Sequence, residues 1–143
     1  MNIHFACSIT GGRDHEAYSK RIIGAFLEDG HQVLPAPLAD SEEMALEAVI
    51  DPHNVHKRDM TWIRGCDALL AEVSTASHGA GYEVAFALST GKPVLSIFQE
   101  GQLLSKMITG HSDPNLRVND NDATGEAISI IRCFFGNNQT DCE

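Results

Sequence analysis

Short apolar runs alternate with longer amphipathic stretches along almost the whole chain, and this alternation restricts the fold more than any other feature. A short apolar run can cross a sheet once, while stretches with apolar positions three to five apart suit helices that carry the chain back. Ile3 to Ser8 reads as a first strand, His31 to Leu34 as a second and Asp67 to Val73 as a third. Val94 to Phe98 reads as a fourth, and the residues near Leu116 to Val118 as a fifth. The pattern predicts an α/β fold: a doubly wound, five-stranded, mainly parallel sheet with flanking helices.

The helix signals between these runs are local. Asp14 can cap a helix with apolar positions Ala17, Ile22, Ile23, Phe26 and Leu27, and Gly30 supplies its stop. Asp51-Pro52 is a helix start, with proline at the first helical position, and Gly65 ends that helix. A loop of small residues, Ser74 to Gly81, leads into a helix from Tyr82 to Ser89, and Gly91-Lys92-Pro93 turns into the fourth strand. A short helix near Leu103 to Thr109 and a last helix from Ala123 to Phe135 complete the reading. The acidic stretch Asp40 to Ile50 fits either a helix or a covering loop. With 143 residues in all, one catalytic domain over 1–136 and a polar tail over 137–143 are expected.

Composition excludes several classes of function. The net charge is −10, with 20 acidic against 10 basic residues, and such a surface repels DNA or RNA polymers. No apolar run approaches the ~20 residues of a membrane span. The N-terminal residues lack a basic segment followed by a long apolar one, so no signal peptide is expected and a cytoplasmic location is (nuclear also, in a eukaryote). Cys7, Cys66, Cys133 and Cys142 form no Cys-x-x-Cys pair and read as reduced thiols. The histidines do not combine with cysteines at metal-ligand spacing, so neither a metal nor a cofactor is implied.

In a doubly wound sheet, ligands bind beyond the C-terminal ends of the strands. Two glycine-containing loops follow strands here and therefore share that rim. Ser8-Ile9-Thr10-Gly11-Gly12-Arg13 offers free amides, close backbone approach and a guanidinium, which together suit a small anion; a tight strand-to-helix turn is the other reading. Gly79-Ala80-Gly81-Tyr82-Glu83 places a carboxylate in the first turn of a helix, where the helix dipole favours its anionic form, as a nucleophile requires. Service to the dipole alone is the alternative for Glu83. Asp59, spaced with Ile63 and Cys66, either faces inward toward the rim or pairs at the surface with Arg58 or Lys57. His4, inside the first strand, lies near the rim as a ligand contact or as a structural histidine.

Taken in order, these segments resemble the nucleoside 2-deoxyribosyltransferase-like family, and within it the 2′-deoxynucleoside 5′-monophosphate N-glycosidases. The matching stretches are Phe5 to Arg13, Asp59 before Cys66 to Val73, Ser77 to Glu83, Gly91 to Leu95, and Leu104 to Ile108, spanning about residues 3 to 135. The resemblance implies a hydrolase that releases free base and 2-deoxyribose 5-phosphate by double displacement. In that reading Glu83 is the nucleophile and Asp59 orients the sugar or assists proton transfer to the base. Substrate contacts are implied at His4, Cys7, Ser8, Ile9, Thr10, Gly11, Gly12, Arg13, Ser77 and Gly79, with Ser105, Lys106 and Met107 from the short fourth helix region. A homodimer is also implied, with Ser105 reaching the phosphate in the neighbouring subunit. Three departures stand out: His4 where the family's hydrolases carry Tyr, Thr10 where they carry Arg, and Pro35-Ala36-Pro37 where a His follows the second strand. A transferase passing deoxyribose between bases shares the same nucleophile, and a non-catalytic nucleotide-binding module shares the same rim.

Overall fold

The computed structural model describes residues 1–8, 16–35, 45, 48–121 and 124–136. Five strands appear in the order anticipated: β1 (Asn2–Ala6), β2 (Gln32–Leu34), β3 (Ala68–Glu72), β4 (Val94–Gln99) and β5 (Leu116–Asn121). Every pairing is parallel and the spatial order is β2-β1-β3-β4-β5. The order of winding therefore reverses between β1 and β3, and a crevice is expected at that point.

Among the described residues five helices cover the sheet: α1 (Glu16–Glu28), α2 (Pro52–Gly65), α3 (His78–Ser89), α4 (Lys106–Thr109) and α5 (Thr124–Phe135). Alternation along the strands explains how both faces are filled. In β3, Ala68 and Leu70 pack with Ile22, Phe26 and Ile131 of α1 and α5, whereas Leu69 and Ala71 pack with Met60, Ile63 and Val84 of α2 and α3. All five residues of β3 are buried, including the charged Glu72.

Local signals decide several boundaries as expected. Asp51 caps α2, its carboxylate accepting from His53 N–H at 2.9 Å, and Pro52 occupies the first turn. Gly30 and Gly91 adopt φ of +80° and +74°, the left-handed conformation that lets the chain leave α1 and α3 abruptly. Other boundaries differ. Helix α3 begins at His78 rather than Tyr82, because Ser77 caps it: its Oγ accepts from Ala80 N–H at 3.2 Å. That cap offsets the propensity cost of Gly79 and Gly81 inside the first turns. On α1, Tyr18 and Ser19 turn inward while Ala17 and Leu27 face solvent. The cap at Asp14, most of the Asp40 to Ile50 stretch and the tail 137–143 lie outside the described residues.

A buried polar cluster joins the strand ends on the α1 side. Ser74 donates to Glu72 Oε1 through both its N–H and its hydroxyl, and its Oγ accepts from Gln99 N–H at 2.9 Å. Tyr18 donates to Asn121 Oδ1 at 2.9 Å, and Asn121 Nδ2 donates to Phe98 O at 2.9 Å. Burial pushes the Tyr18 phenol up to about 12; the Asn121 hydrogen bond opposes this and the Glu72 charge adds to it. Burial, with Glu72 and Glu83 nearby, also pushes the Cys7 thiol up to about 12. Cys7 and Cys66 are free thiols, whereas Cys133 on α5 is disulfide-bonded, contrary to the reading of four reduced cysteines. Spacing arguments see only neighbours in sequence, and a disulfide needs only proximity in space.

Two outcomes follow from this packing. Ile22, fully buried, should cost about 2–5 kcal/mol when changed to Ala, whereas Leu27→Ala, at a site 53% exposed, should stay within about 0.5 kcal/mol in urea unfolding. Cys7 and Tyr18 hold their protons more tightly folded than unfolded. Their contribution to stability is therefore complete below the ordinary thiol value of 9.0 and is lost as pH rises toward about 12. Unfolding curves of the Cys7→Ala, Tyr18→Phe double variant should show a shallower alkaline decline than the parent.

Candidate active site

The strands of a parallel sheet end at one rim, and the crevice expected of this strand order falls between β1 and β3. His4 is on β1, in register with Leu69 of β3 and on the face covered by α2 and α3. From that face α3 presents Glu83, and His4 Nε2 lies 2.8 Å from Glu83 Oε2. The His4 side chain is 1% exposed and that of Glu83 19%. Among the described residues nothing else hydrogen-bonds to Glu83. His4 Nδ1 is buried and has no hydrogen-bond partner among the described residues.

Glu83 is the sixth residue of α3, so it sits in the second turn and not the first. The helix dipole acts within the first turn and weakens beyond it. The direct partner of the carboxylate is instead an imidazole nitrogen from a distant strand. This replaces the electrostatic argument drawn from the sequence with a shorter-range one.

Asp59 sits in the middle of α2, its side chain 17% exposed, with Oδ1 accepting from Arg58 Nε at 2.8 Å. The two readings of Asp59 thus meet: it pairs with its neighbour Arg58 and is also partly enclosed, beside the inward-facing Met60 and Ile63. Helices α2 and α3 touch at the rim, where His56 Nε2 lies 3.3 Å from Tyr82 Oη and the rings meet edge to face. Tyr82 and Glu83 are consecutive, so this contact bears directly on the helix turn that carries the carboxylate.

Cys7 and Ser8 follow β1 and are half-buried. The Cys7 thiol lies close enough to both Glu72 and Glu83 to feel their charge. Held as a neutral thiol, Cys7 is a poor nucleophile. Ile9, Thr10, Gly11, Gly12 and Arg13 lie outside the described residues.

Ser77 and Ser105 share a geometry that the sequence did not announce. Each caps a helix: Ser77 Oγ accepts from Ala80 N–H, and Ser105 Oγ accepts from Met107 N–H, both at 3.2 Å. An accepting Oγ still carries a hydroxyl hydrogen, so each serine can donate to an anion without giving up its cap. Gly79 is the second residue of α3, and a Cβ there would meet Ser77 Oγ only at 3.9 Å, so space does not demand a glycine.

Ser105, Lys106 and Met107 stand apart from Glu83, on the far side of α3. There a groove of ≈ 460 Å³ runs between α3 and the 103–111 segment, lined chiefly by apolar side chains such as Val84, Leu88, Leu104 and Ile108. Leu103 and Met107 at its edge are 99% and 81% exposed. Among the described residues no group of three or more His, Cys, Asp or Glu side chains is placed to hold a metal ion, and no helix is long and apolar enough to cross a membrane.

Three features escaped the sequence reading. The groove was invisible because its walls come from separate segments. The His4–Glu83 contact joins residues 79 apart in sequence. The Glu72 cluster did leave a signal, since a glutamate ending an apolar run needs a partner if it is buried.

The family model for nucleoside 2-deoxyribosyltransferase matches residues 3–126. The 5-hydroxymethyl-dUMP N-hydrolase of Rattus norvegicus is 35% identical over 138 residues, spanning 94% of this chain and 84% of its own length. The protein of the same name from Esox lucius is 36% identical over 140 residues, spanning 94% of this chain and 96% of its own. Among solved structures, the CMP N-glycosidase BcmB of Clostridium botulinum superposes with a TM-score of 0.73, covering 94% of this chain and 100% of that one. At 18% identity that likeness is one of fold. With a family model matching most of its length and relatives similar from end to end, the chain belongs to the nucleoside 2-deoxyribosyltransferase family.

Proposed function

We propose that this protein is a nucleotide N-glycosidase that hydrolyses 2′-deoxynucleoside 5′-monophosphates to free base and 2-deoxyribose 5-phosphate. The observation that carries the reading is a partly exposed carboxylate, Glu83, at the switch point of a doubly wound sheet, with one oxygen held from below by His4. Relatives named as N-hydrolases of a deoxynucleoside monophosphate supply the substrate class.

The chemistry is that of a retaining glycosidase applied to an N-glycoside. Glu83 attacks C1′ of the deoxyribose and forms a glycosyl ester as the base departs with the bonding pair. Water then attacks C1′ and frees the sugar phosphate. Asp59, partly enclosed on the neighbouring helix, orients the sugar or helps to deliver the proton the leaving base requires. No cofactor takes part.

The 5′-phosphate belongs on the loop after β1, with Ser8, Gly11, Gly12 and Arg13, and on the cap hydroxyl of Ser77. Arg13 is its principal cation, since this chain carries Thr10 where family hydrolases carry Arg. A phosphate there is seated away from Glu83, as two anions in one crevice require. Ser105 completes the phosphate site from a second copy of the chain. The apolar groove beside it, and the exposed Leu103 and Met107 on its edge, support a homodimer through this face.

Glu83→Gln should keep the parent's Tm and still bind monophosphate in calorimetry, while base release measured by chromatography falls by about a thousandfold or more. Unchanged turnover would remove Glu83 as nucleophile. Arg13→Ala should raise KM for monophosphates by about tenfold or more and leave KM for the matching nucleosides unaltered. Equal effects on both would place the phosphate elsewhere.

A further inference from the structure

His4 is the one buried histidine among the described residues. It lies deeper than Glu83, 1% exposed against 19%, so a sugar arriving from solvent meets the carboxylate before the imidazole. The contact with the carboxylate stands beside the substrate contact that the resemblance implies for His4.

The geometry points to His4 as a positioning residue that selects the reactive protonation state of Glu83 and leaves Oε1 as the attacking oxygen, a role that rests on the assignment of Glu83 as nucleophile. An ionised carboxylate can only accept hydrogen bonds, so Nε2 must carry the hydrogen between them. In a neutral imidazole this leaves Nδ1 as a bare lone pair. The competing arrangement, a protonated Glu83 donating to Nε2, would move the imidazole hydrogen to Nδ1. An imidazolium would place one there as well. Nδ1 is buried and has no hydrogen-bond partner among the described residues, so both alternatives bury an unpaired N–H there. The state left is a neutral His4 donating from Nε2 to an anionic Glu83.

That hydrogen bond occupies Oε2, while Oε1 has no hydrogen-bond partner among the described residues. In the first half-reaction Oε1 bonds to C1′, and the C1′–N bond breaks with its electron pair leaving on the base, which takes a proton from solvent water. Oε2 becomes the carbonyl oxygen of the ester and still accepts from Nε2–H. In the second half-reaction water adds to C1′ and gives a proton back to solvent water, and the C1′–Oε1 pair returns to the carboxylate. His4 neither gains nor loses a proton in either half. Its bond is charge-assisted, and so stronger, whenever Glu83 is a free carboxylate; that favours release of the sugar, while in the attack His4 serves by keeping Glu83 ionised and Oε1 available. Its effect therefore falls on kcat more than on KM.

The test compares His4→Gln, His4→Asn and His4→Phe in the full chain, with kcat and KM for a 2′-deoxynucleoside 5′-monophosphate measured by base release and Tm measured alongside. Glutamine can present an amide N–H near the position of Nε2, whereas asparagine reaches only as far as Nδ1. His4→Gln is expected to keep kcat within about fivefold of the parent. His4→Asn and His4→Phe are expected to lose about ten- to a hundredfold in kcat, with KM changing less than about threefold. Three results would each overturn the proposal: kcat unmoved in all three variants, KM moved instead of kcat, or a folded Gln variant no better than the Asn variant. Should the Phe variant not fold, the Gln–Asn comparison decides alone. Glu83→Gln, assayed in parallel, separates the two claims. Activity retained there removes the nucleophile and the role of His4 together, whereas activity lost there with indifferent His4 variants removes the role of His4 alone.

Discussion

The parallel pairing of β1 with β3 is the constraint on which the rest of the structure depends. Parallel strands need a crossover between them, and their exposed faces must be covered on both sides. Covering them sends α1 to one face and α2 and α3 to the other, which opens a crevice where the crossovers part. The same pairing sets His4 opposite Leu69 and brings β1 beneath α3. Once α3 starts at Ser77, its second turn lies over the crevice and Glu83 meets His4.

Glu72 and Glu83 close the ends of this arrangement from opposite faces. Glu72 is buried and satisfied by Ser74, which in turn links β3 to β4 through the Gln99 amide. Glu83 is only partly buried, and among the described residues only its Oε2 has a hydrogen-bond partner. The contrast is one of environment. A carboxylate wrapped by donors on its own loop acts as structure, while one held by a single donor at a rim retains reactivity. Cys7 stays a thiol chiefly because it is buried, and the charges of both carboxylates add to that.

Legibility in the sequence followed the range of the interactions concerned. The strands were recognisable from apolar runs and the ends of α1, α2 and α3 from Gly30, Asp51-Pro52 and Gly91, because caps and turns act over two to four residues. The start of α3 was misjudged, since small residues at 74–81 resemble a loop until the Ser77 cap is seen to pay for their helical conformation. Leu27 fits the apolar spacing of α1 yet faces solvent, because spacing gives a helix's period but not which residues mark the edge of its buried stripe. At the site, Glu83 and Asp59 were visible as candidates, but not the partners that orient them.

The chain's own periodicities and caps determined the class of fold, the order of its elements and the rim that the strand ends share. They also singled out Glu83, through its place behind a run of small residues. Tertiary structure alone decided that Glu83 stands in a second helical turn, that its Oε2 is tied to His4, and that the 103–111 segment builds a groove away from the carboxylate. Local patterns are set by neighbours along the backbone. The contact between His4 and Glu83 spans 79 residues and exists only after the sheet has brought β1 under α3.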